Sequence, residues 1–212
     1  MTEEEKELAG KIYNPRHPQL RAIKGIAHDL CMDFNKTYEG ETQKREEILC
    51  KLLKSKGKNV FFQGPIFFNY GCHTSIGDGF FGNYNTCIQD DALVTIGNYV
   101  MFGPNCTLAT PYHPLIDSER RYMTDENGEL FGPCMASPIV IGNDVWFGAN
   151  VTVCGGVTIG DGTVIGAGSV VTRDIPDHVV AAGVPCRVIR QITEKDSLKH
   201  KPWLFPDDED DA

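Results

Sequence analysis

His113 sits in the segment Thr110-Pro111-Tyr112-His113-Pro114, where the flanking prolines stiffen the backbone. A histidine titrates near neutrality, so an imidazole presented this rigidly suits general-base work on a hydroxyl nucleophile. Taken by itself it is equally a surface loop histidine. Asn83, Asn85, Asp90 and Asp91 gather just before it, polar groups on a stretch otherwise built for packing. Asn and Asp also suit corner and turn dihedrals, which is the plainer account of all four. These residues alone do not decide a function.

The elements that position them are legible in the spacing of apolar residues. Ile141, Phe147, Val153, Ile159, Ile165 and Val171 recur every six positions, and each is followed four residues later by a second, generally smaller side chain, from Val145 to Ile175. A period of six fits neither a helix nor the alternation of a hairpin strand; it predicts a parallel β-helix in which each hexapeptide is one short strand and a corner. Upstream, Tyr70, Ile76, Gly82, Ile88 and Val94 keep the same step. The phase then slips by two near Asp90 and Asp91 and resumes at Ile96, Phe102 and Leu108. From Ala109 to Ser137 the register is lost among polar residues and prolines, which predicts a long loop thrown out of the coil, with His113 at its mouth. Loops of this length in compact proteins are usually functional or disordered. The repeats return at Ile139; Pro176 and Pro185 are expected to end the prism, followed by a short basic strand, Arg187-Val188-Ile189-Arg190.

Residues 8–56 read as helical. Pro18 opens one helix, with Leu20, Ile23, Ile26, Ala27, Leu30 and Phe34 on its buried face. Thr42 is expected to cap a second helix that Gly57 ends, with strands from about Val60. Two amphipathic helices need a surface to cover, and the open end of a β-helix provides one. The expected organisation is a helical cap at 1–58, the β-helix at 59–190 with its loop at 109–137, and a C-terminal extension at 191–212. In that extension Trp203, Leu204 and Phe205 are expected to dock before an acidic tail, which reads as a disordered, solubilising end.

Composition excludes several classes. The net charge is −9, five units of it from Asp207, Asp208, Glu209, Asp210 and Asp211, which argues against nucleic acid as a partner. No apolar run is long enough to span a membrane, and the acidic start Met1-Thr2-Glu3-Glu4-Glu5 is not that of a signal peptide. Eight scattered cysteines without a C-x-x-C pair read as free thiols of a cytoplasmic protein rather than disulfides or a zinc site.

Several motifs together resemble the hexapeptide-repeat sugar O-acetyltransferases, the maltose and galactoside acetyltransferases in particular. They are Ala9-Gly10-Lys11-Ile12-Tyr13, Asn83-Tyr84-Asn85, Asp90-Asp91, His113-Pro114, Asn143-Asp144-Val145-Trp146-Phe147-Gly148, and Val180-Ala181-Ala182-Gly183-Val184-Pro185-Cys186-Arg187-Val188-Ile189-Arg190. The resemblance implies a left-handed parallel β-helix, against the usual right hand of parallel crossovers, assembled as a homotrimer with active sites between subunits. It implies acetyl-CoA as co-substrate, no metal, and a sugar or glycoside hydroxyl as acceptor, attacking the thioester directly with His113 as general base. Asn83, Asp91 and Asn69 match acceptor-binding positions. The Ala149 N–H matches the donor facing the thioester oxygen. Trp146 would flank the pantetheine arm, though a surface aromatic at a subunit interface is an equally good account. Ala167 and Thr172 match other coenzyme contacts, and Arg173, Arg187 and Arg190 match cationic positions near its phosphates, where each is otherwise a solvated surface charge.

The sequence also departs from the family. Pro15 and His17 stand where relatives often carry an acid that contacts the acceptor, Lys24 stands where an arginine is common, and the segment Ser118–Ser137 is longer. Each bears on acceptor preference. The alternatives are the same fold acting on an antibiotic, serine or an amino sugar, a non-catalytic β-helix scaffold, and a β-helix metalloenzyme using His73 and His113, for which a third histidine ligand is not evident on the coils.

Overall fold

The computed structural model describes residues 1–125 and 127–205. It is a parallel β-solenoid of about six turns, mainly β with few helices. Three parallel sheets form the faces of a prism. One stacks Ser55–Lys56, Thr74–Ile76, Val94–Ile96, Ile139–Ile141 and Thr158–Ile159. The second runs from Phe61–Phe62 to Val179–Ala182 and adds Arg187–Gln191 antiparallel at its end; the third runs from Ile66–Phe68 to Val170–Val171.

The six-residue period is thus the repeat of face and corner, and its apolar residues stack inside. Ile141, Phe147, Val153, Ile159, Ile165 and Val171 are all buried. Phe62, Phe80, Phe102 and Phe147 form a column of rings whose successive centroids lie 5.1, 5.1 and 4.7 Å apart, a spacing at which aromatic pairs add to simple burial. Glycine is required where one coil's corner lies on the next: a Cβ on Gly148 would stand 2.6 Å from the Ala167 nitrogen. Gly148→Ala is expected to destabilise the fold by about 1–3 kcal/mol through overpacking against backbone, read as a lowered thermal midpoint.

Three helices cover the first coils. Helix α1 (Glu3–Leu8) begins with a capping box between Thr2 and Glu5. Helix α2 (Pro18–Asn35) has its proline at the first position and packs on Ile66–Phe68 and on α3 (Thr42–Leu52). Arg45 of α3 is buried against the open end of the prism: it donates to the Phe62 carbonyl at 2.6 Å and lies 4.4 Å over the Phe34 ring. Its guanidinium satisfies carbonyl groups there that no further coil covers.

The structure corrects several expectations. The helical region holds three helices, because the acidic start forms α1. Ile26 is exposed, and Cys31 takes its place on the buried face of α2. Glu41, not Thr42, precedes α3, and α3 ends at Leu52. Gly57 lies instead in the first corner of the coil, where a Cβ would meet Asp78, and strands begin at Ser55. Pro176 does not end the prism: Val179–Ala182 pairs in parallel with Val164–Ile165, since proline costs nothing at a corner that donates no ladder bond. Trp203, Leu204 and Phe205 are more than half exposed and do not dock on this chain. The acidic tail lies outside the described residues.

Candidate active site

The site is built where the repeat is interrupted. Paired positions lie eighteen residues apart in the later coils (Trp146↔Val164) but twenty apart in the earlier ones (Phe61↔Phe81, Phe81↔Met101). The two extra residues fall at one corner, between Phe68 and Thr74 and again between Ile88 and Val94. The sequence shows the slip only once, because Tyr70 happens to keep the six-residue phase. The long loop leaves the next coil at this same corner, between Ala109 and Ile139. Three successive coils therefore bulge together.

Asp90 and Asp91 occupy the second bulge and do opposite things. Asp90 is buried and ties the two bulged corners together, accepting from the Tyr70 N–H and the Thr74 hydroxyl, each at 2.8 Å. Its role is the plainer, structural one. Asn85 is structural as well: it has positive φ and donates to Asn105, the start of a corner ladder that continues to Asn150. Asp91 instead gathers functional groups: it accepts from the Tyr13 hydroxyl and the Asn69 amide, each at 2.7 Å, and Lys24 stands 3.9 Å away. Asn69 and Asp91 are thus brought into direct contact. Asn83 is half-buried one face away, its Oδ1 accepting from the Tyr84 N–H.

His113 is exposed at the base of the loop. The loop is ordered by two short antiparallel ladders, Pro111–Tyr112 with Met135–Ala136 and Met123–Thr124 with Leu130–Phe131. His113 Nδ1 lies 2.7 Å from the Pro133 carbonyl. A carbonyl only accepts, so Nδ1 carries the proton and Nε2 keeps its lone pair, the tautomer a base requires. The next residue, Cys134, bridges to Tyr13, whose hydroxyl reaches Asp91. Loop, N-terminal segment and the Asp91 carboxylate are one connected assembly. His17 does not enter it; its ring caps α2 by accepting from the Gln19 N–H. His73 is buried, spanning the Asp90 carbonyl and Glu4.

The remaining candidates lie on the C-terminal coils. Trp146 is half-exposed. Ala149 and Ala167 occupy the same corner on consecutive coils, and neither N–H donates a hydrogen bond among the described residues. Thr172 and Arg173 are exposed after Val170–Val171. Arg187 and Arg190 lie on the terminal antiparallel strand, where Arg187 donates to the Cys186 carbonyl and Arg190 is held in a two-point fork by Asp196, both bonds 2.8 Å.

Three groups at the site escaped sequence reasoning. Tyr13 and Tyr70 read as motif and core residues, and Glu7 carries no signal in the sequence that sets it apart. Glu7 is fully buried in α1, and neither of its oxygens has a hydrogen-bond partner. Burial pushes its carboxyl up to about 8, and the charge of Asp91 adds to this, while the Tyr70 and Tyr13 hydroxyls and Lys24 offset part of it. Because the folded state holds this proton and the unfolded chain releases it near pH 4.5, Glu7 is silent below that pH and costs stability progressively up to about 8, at most about 1.4 kcal/mol per pH unit. Glu7→Gln is therefore expected to raise the thermal midpoint at pH 8, with the gain shrinking toward pH 4.5.

Comparison with known proteins accords with this geometry. Residues 6–57 match the maltose acetyltransferase hexapeptide capping motif, and residues 138–173 match the bacterial transferase hexapeptide (six repeats). The chain is 42% identical over 199 residues to the galactoside O-acetyltransferase of Escherichia coli K12, covering 94% of this chain and 92% of that one. It belongs to the hexapeptide-repeat sugar O-acetyltransferases. The crystal structure of a maltose O-acetyltransferase from Clostridium difficile 630 superposes with a TM-score of 0.83 at 42% identity, covering 92% of this chain and 99% of that one. A galactoside acetyltransferase in complex with coenzyme A superposes at 0.82 with 38% identity, covering 98% and 97%. As a member of this acetyltransferase family the chain is an enzyme, and the bulged corner carrying Asp91 and His113 is its candidate active site.

Proposed function

We propose that this acetyltransferase transfers the acetyl group of acetyl-CoA to a hydroxyl of a sugar or glycoside. The observation that carries the reading is the His113–Pro133 bond, which presents Nε2 as a base on the assembly that also holds Asp91 and Asn69. Nε2 takes the acceptor hydroxyl's proton as that oxygen attacks the thioester carbonyl. Charge developing on the carbonyl oxygen is met by the unpaired Ala149 N–H. The intermediate collapses, the C–S bond breaks, and the imidazolium returns its proton to the leaving thiolate. Asn69, Asn83 and Asp91 hold the sugar, because a carboxylate and amides together accept from and donate to ring hydroxyls. Trp146, Ala167 and Thr172 line the coenzyme, and Arg173, Arg187 and Arg190 face its phosphates.

The site is completed by a second copy of the chain in a homotrimer. Support comes from the outward residues of the second face, where Phe61, Phe81, Met101, Trp146, Val164 and Val180 stack in one apolar column. Met101 and Trp146 are each half-exposed in it, and such a patch fits burial between subunits. Eight free cysteines fit a cytoplasmic location, and no helix among the described residues is long and apolar enough to cross a membrane. Residues 1–58 serve as the cap, 59–190 as the acyltransferase unit and 191–212 as an extension.

The test is thiol release from acetyl-CoA against a panel of maltose, glucose, galactosides and amines. Turnover with sugars supports the reading; turnover with amines alone moves the protein to N-acetyl transfer, and no coenzyme binding rejects the enzyme assignment of this site. Sedimentation equilibrium at three times the chain mass is the expected result for the assembly.

A further inference from the structure

Among the described residues, three buried side-chain polar atoms lack a hydrogen-bond partner: both carboxyl oxygens of Glu7 and the Tyr70 hydroxyl. Glu7 and Tyr70 neighbour one another, and the charge of Asp91 is felt at both. Native interiors leave few such atoms, and a cluster of three beside a functional group points to a role. The titratable groups facing Glu7 are Tyr13, Lys24, Tyr70, Cys72, Asp91 and Cys134. This set holds one cation, Lys24, and one carboxyl, Asp91, besides Glu7 itself. Asp91 is faced by donors, namely Tyr13, Asn69 and Lys24. No donor reaches Glu7 in good hydrogen-bond geometry, and the nearby Tyr70 and Tyr13 hydroxyls offset its burial only in part. Asp91 is therefore the anion that balances Lys24, and Glu7 is the acid.

We propose that Glu7 is a positioning residue for the acceptor, deciding whether Lys24 stays with Asp91. The inference rests on the assignment of Asp91 to the acceptor site. While Glu7 keeps its proton, Lys24 has one anionic partner and the Tyr13–Asp91–Asn69 frame is held. When the proton leaves to solvent, a second anion competes for the same ammonium, whose side chain is 17% exposed and lies 4.8 Å over the Tyr70 ring. Asp91 loses its counter-charge and gains a repelling neighbour, so the acceptor binds less well as pH rises. The coenzyme contacts lie on later coils and are untouched. The acceptor site is thus gated from behind, by a group the acceptor never reaches.

The test uses the full chain and its Glu7→Gln variant, with lactose and maltose as acceptors at saturating acetyl-CoA, from pH 6.5 to 9.5. The wild-type acceptor KM is expected to rise about tenfold with kcat little changed, while the variant's KM stays flat and the acetyl-CoA KM is the same in both. Carbon-13 NMR of labelled glutamate carboxyls should show one resonance titrating far above the others and missing from the variant. Superimposable KM profiles, or a Glu7 resonance in the ordinary glutamate range, overturn the proposal. If neither sugar is bound or acetylated, the acceptor assignment of Asp91 falls and this role falls with it; that failure is recognised because the high-titrating resonance persists without any sugar dependence.

Discussion

Replacing His113 with alanine is expected to lower kcat by roughly 10²–10⁴-fold, the usual worth of a positioned base. Acetyl-CoA should still bind, because the proposed coenzyme residues stand on the C-terminal coils. The expectation rests on a specific constraint. The Pro133 carbonyl takes the Nδ1 proton at 2.7 Å and so assigns the lone pair to Nε2. The ladder of Pro111–Tyr112 with Met135–Ala136 holds both ends of the loop so that this bond can form. Single-turnover thiol release with parallel equilibrium binding of the coenzyme measures the two quantities separately. A variant that kept most of its turnover would remove His113 from the chemistry and leave only a loop histidine.

The second large effect is expected at Asp91. Its carboxylate has 4% side-chain exposure and is held by the Tyr13 hydroxyl, the Asn69 amide and Lys24. Asp91→Ala strands an ammonium and two donors in a nearly closed site, a loss on the order of 3–5 kcal/mol of stability for a broken buried pair. Asp91→Asn keeps the shape and removes the charge. It is expected to lose less stability, yet to cut kcat/KM for the sugar by on the order of 100-fold, since charged hydrogen bonds to the acceptor are replaced by neutral ones. Thermal unfolding, together with acceptor and coenzyme KM values, separates the outcomes. An unchanged acceptor kcat/KM in Asp91→Asn would confine Asp91 to a structural role like that of its neighbour Asp90.

These two residues also show where sequence reasoning stops. Asp90 and Asp91 are adjacent and chemically identical, and spacing treats them alike. The backbone turns one toward Tyr70 and Thr74 inside the corner and the other toward Tyr13 and Asn69 outside it. Nothing in the sequence distinguishes Glu7, yet helix α1 turns it into the interior. Trp203, Leu204 and Phe205 read as an anchor and are exposed on this chain. Composition says that such residues favour burial but does not say whether a surface is within reach.

What the sequence determined by itself was the repeat and therefore the architecture. A six-residue apolar period is a local, additive signal, because each coil buries its own residues against the next in fixed register. It placed the stacked core from Ile139 to Ile175 and the long excursion that carries His113. The tertiary structure alone decided which polar residues meet. Asn69, Asp91, Tyr13, Lys24 and Glu7 come from four separate segments, brought together because two coils carry the same two-residue bulge and the helices fold back over it. Such convergence depends on contacts between residues up to about eighty positions apart (Tyr13 and Asp91 among them), and no periodicity along the chain encodes it.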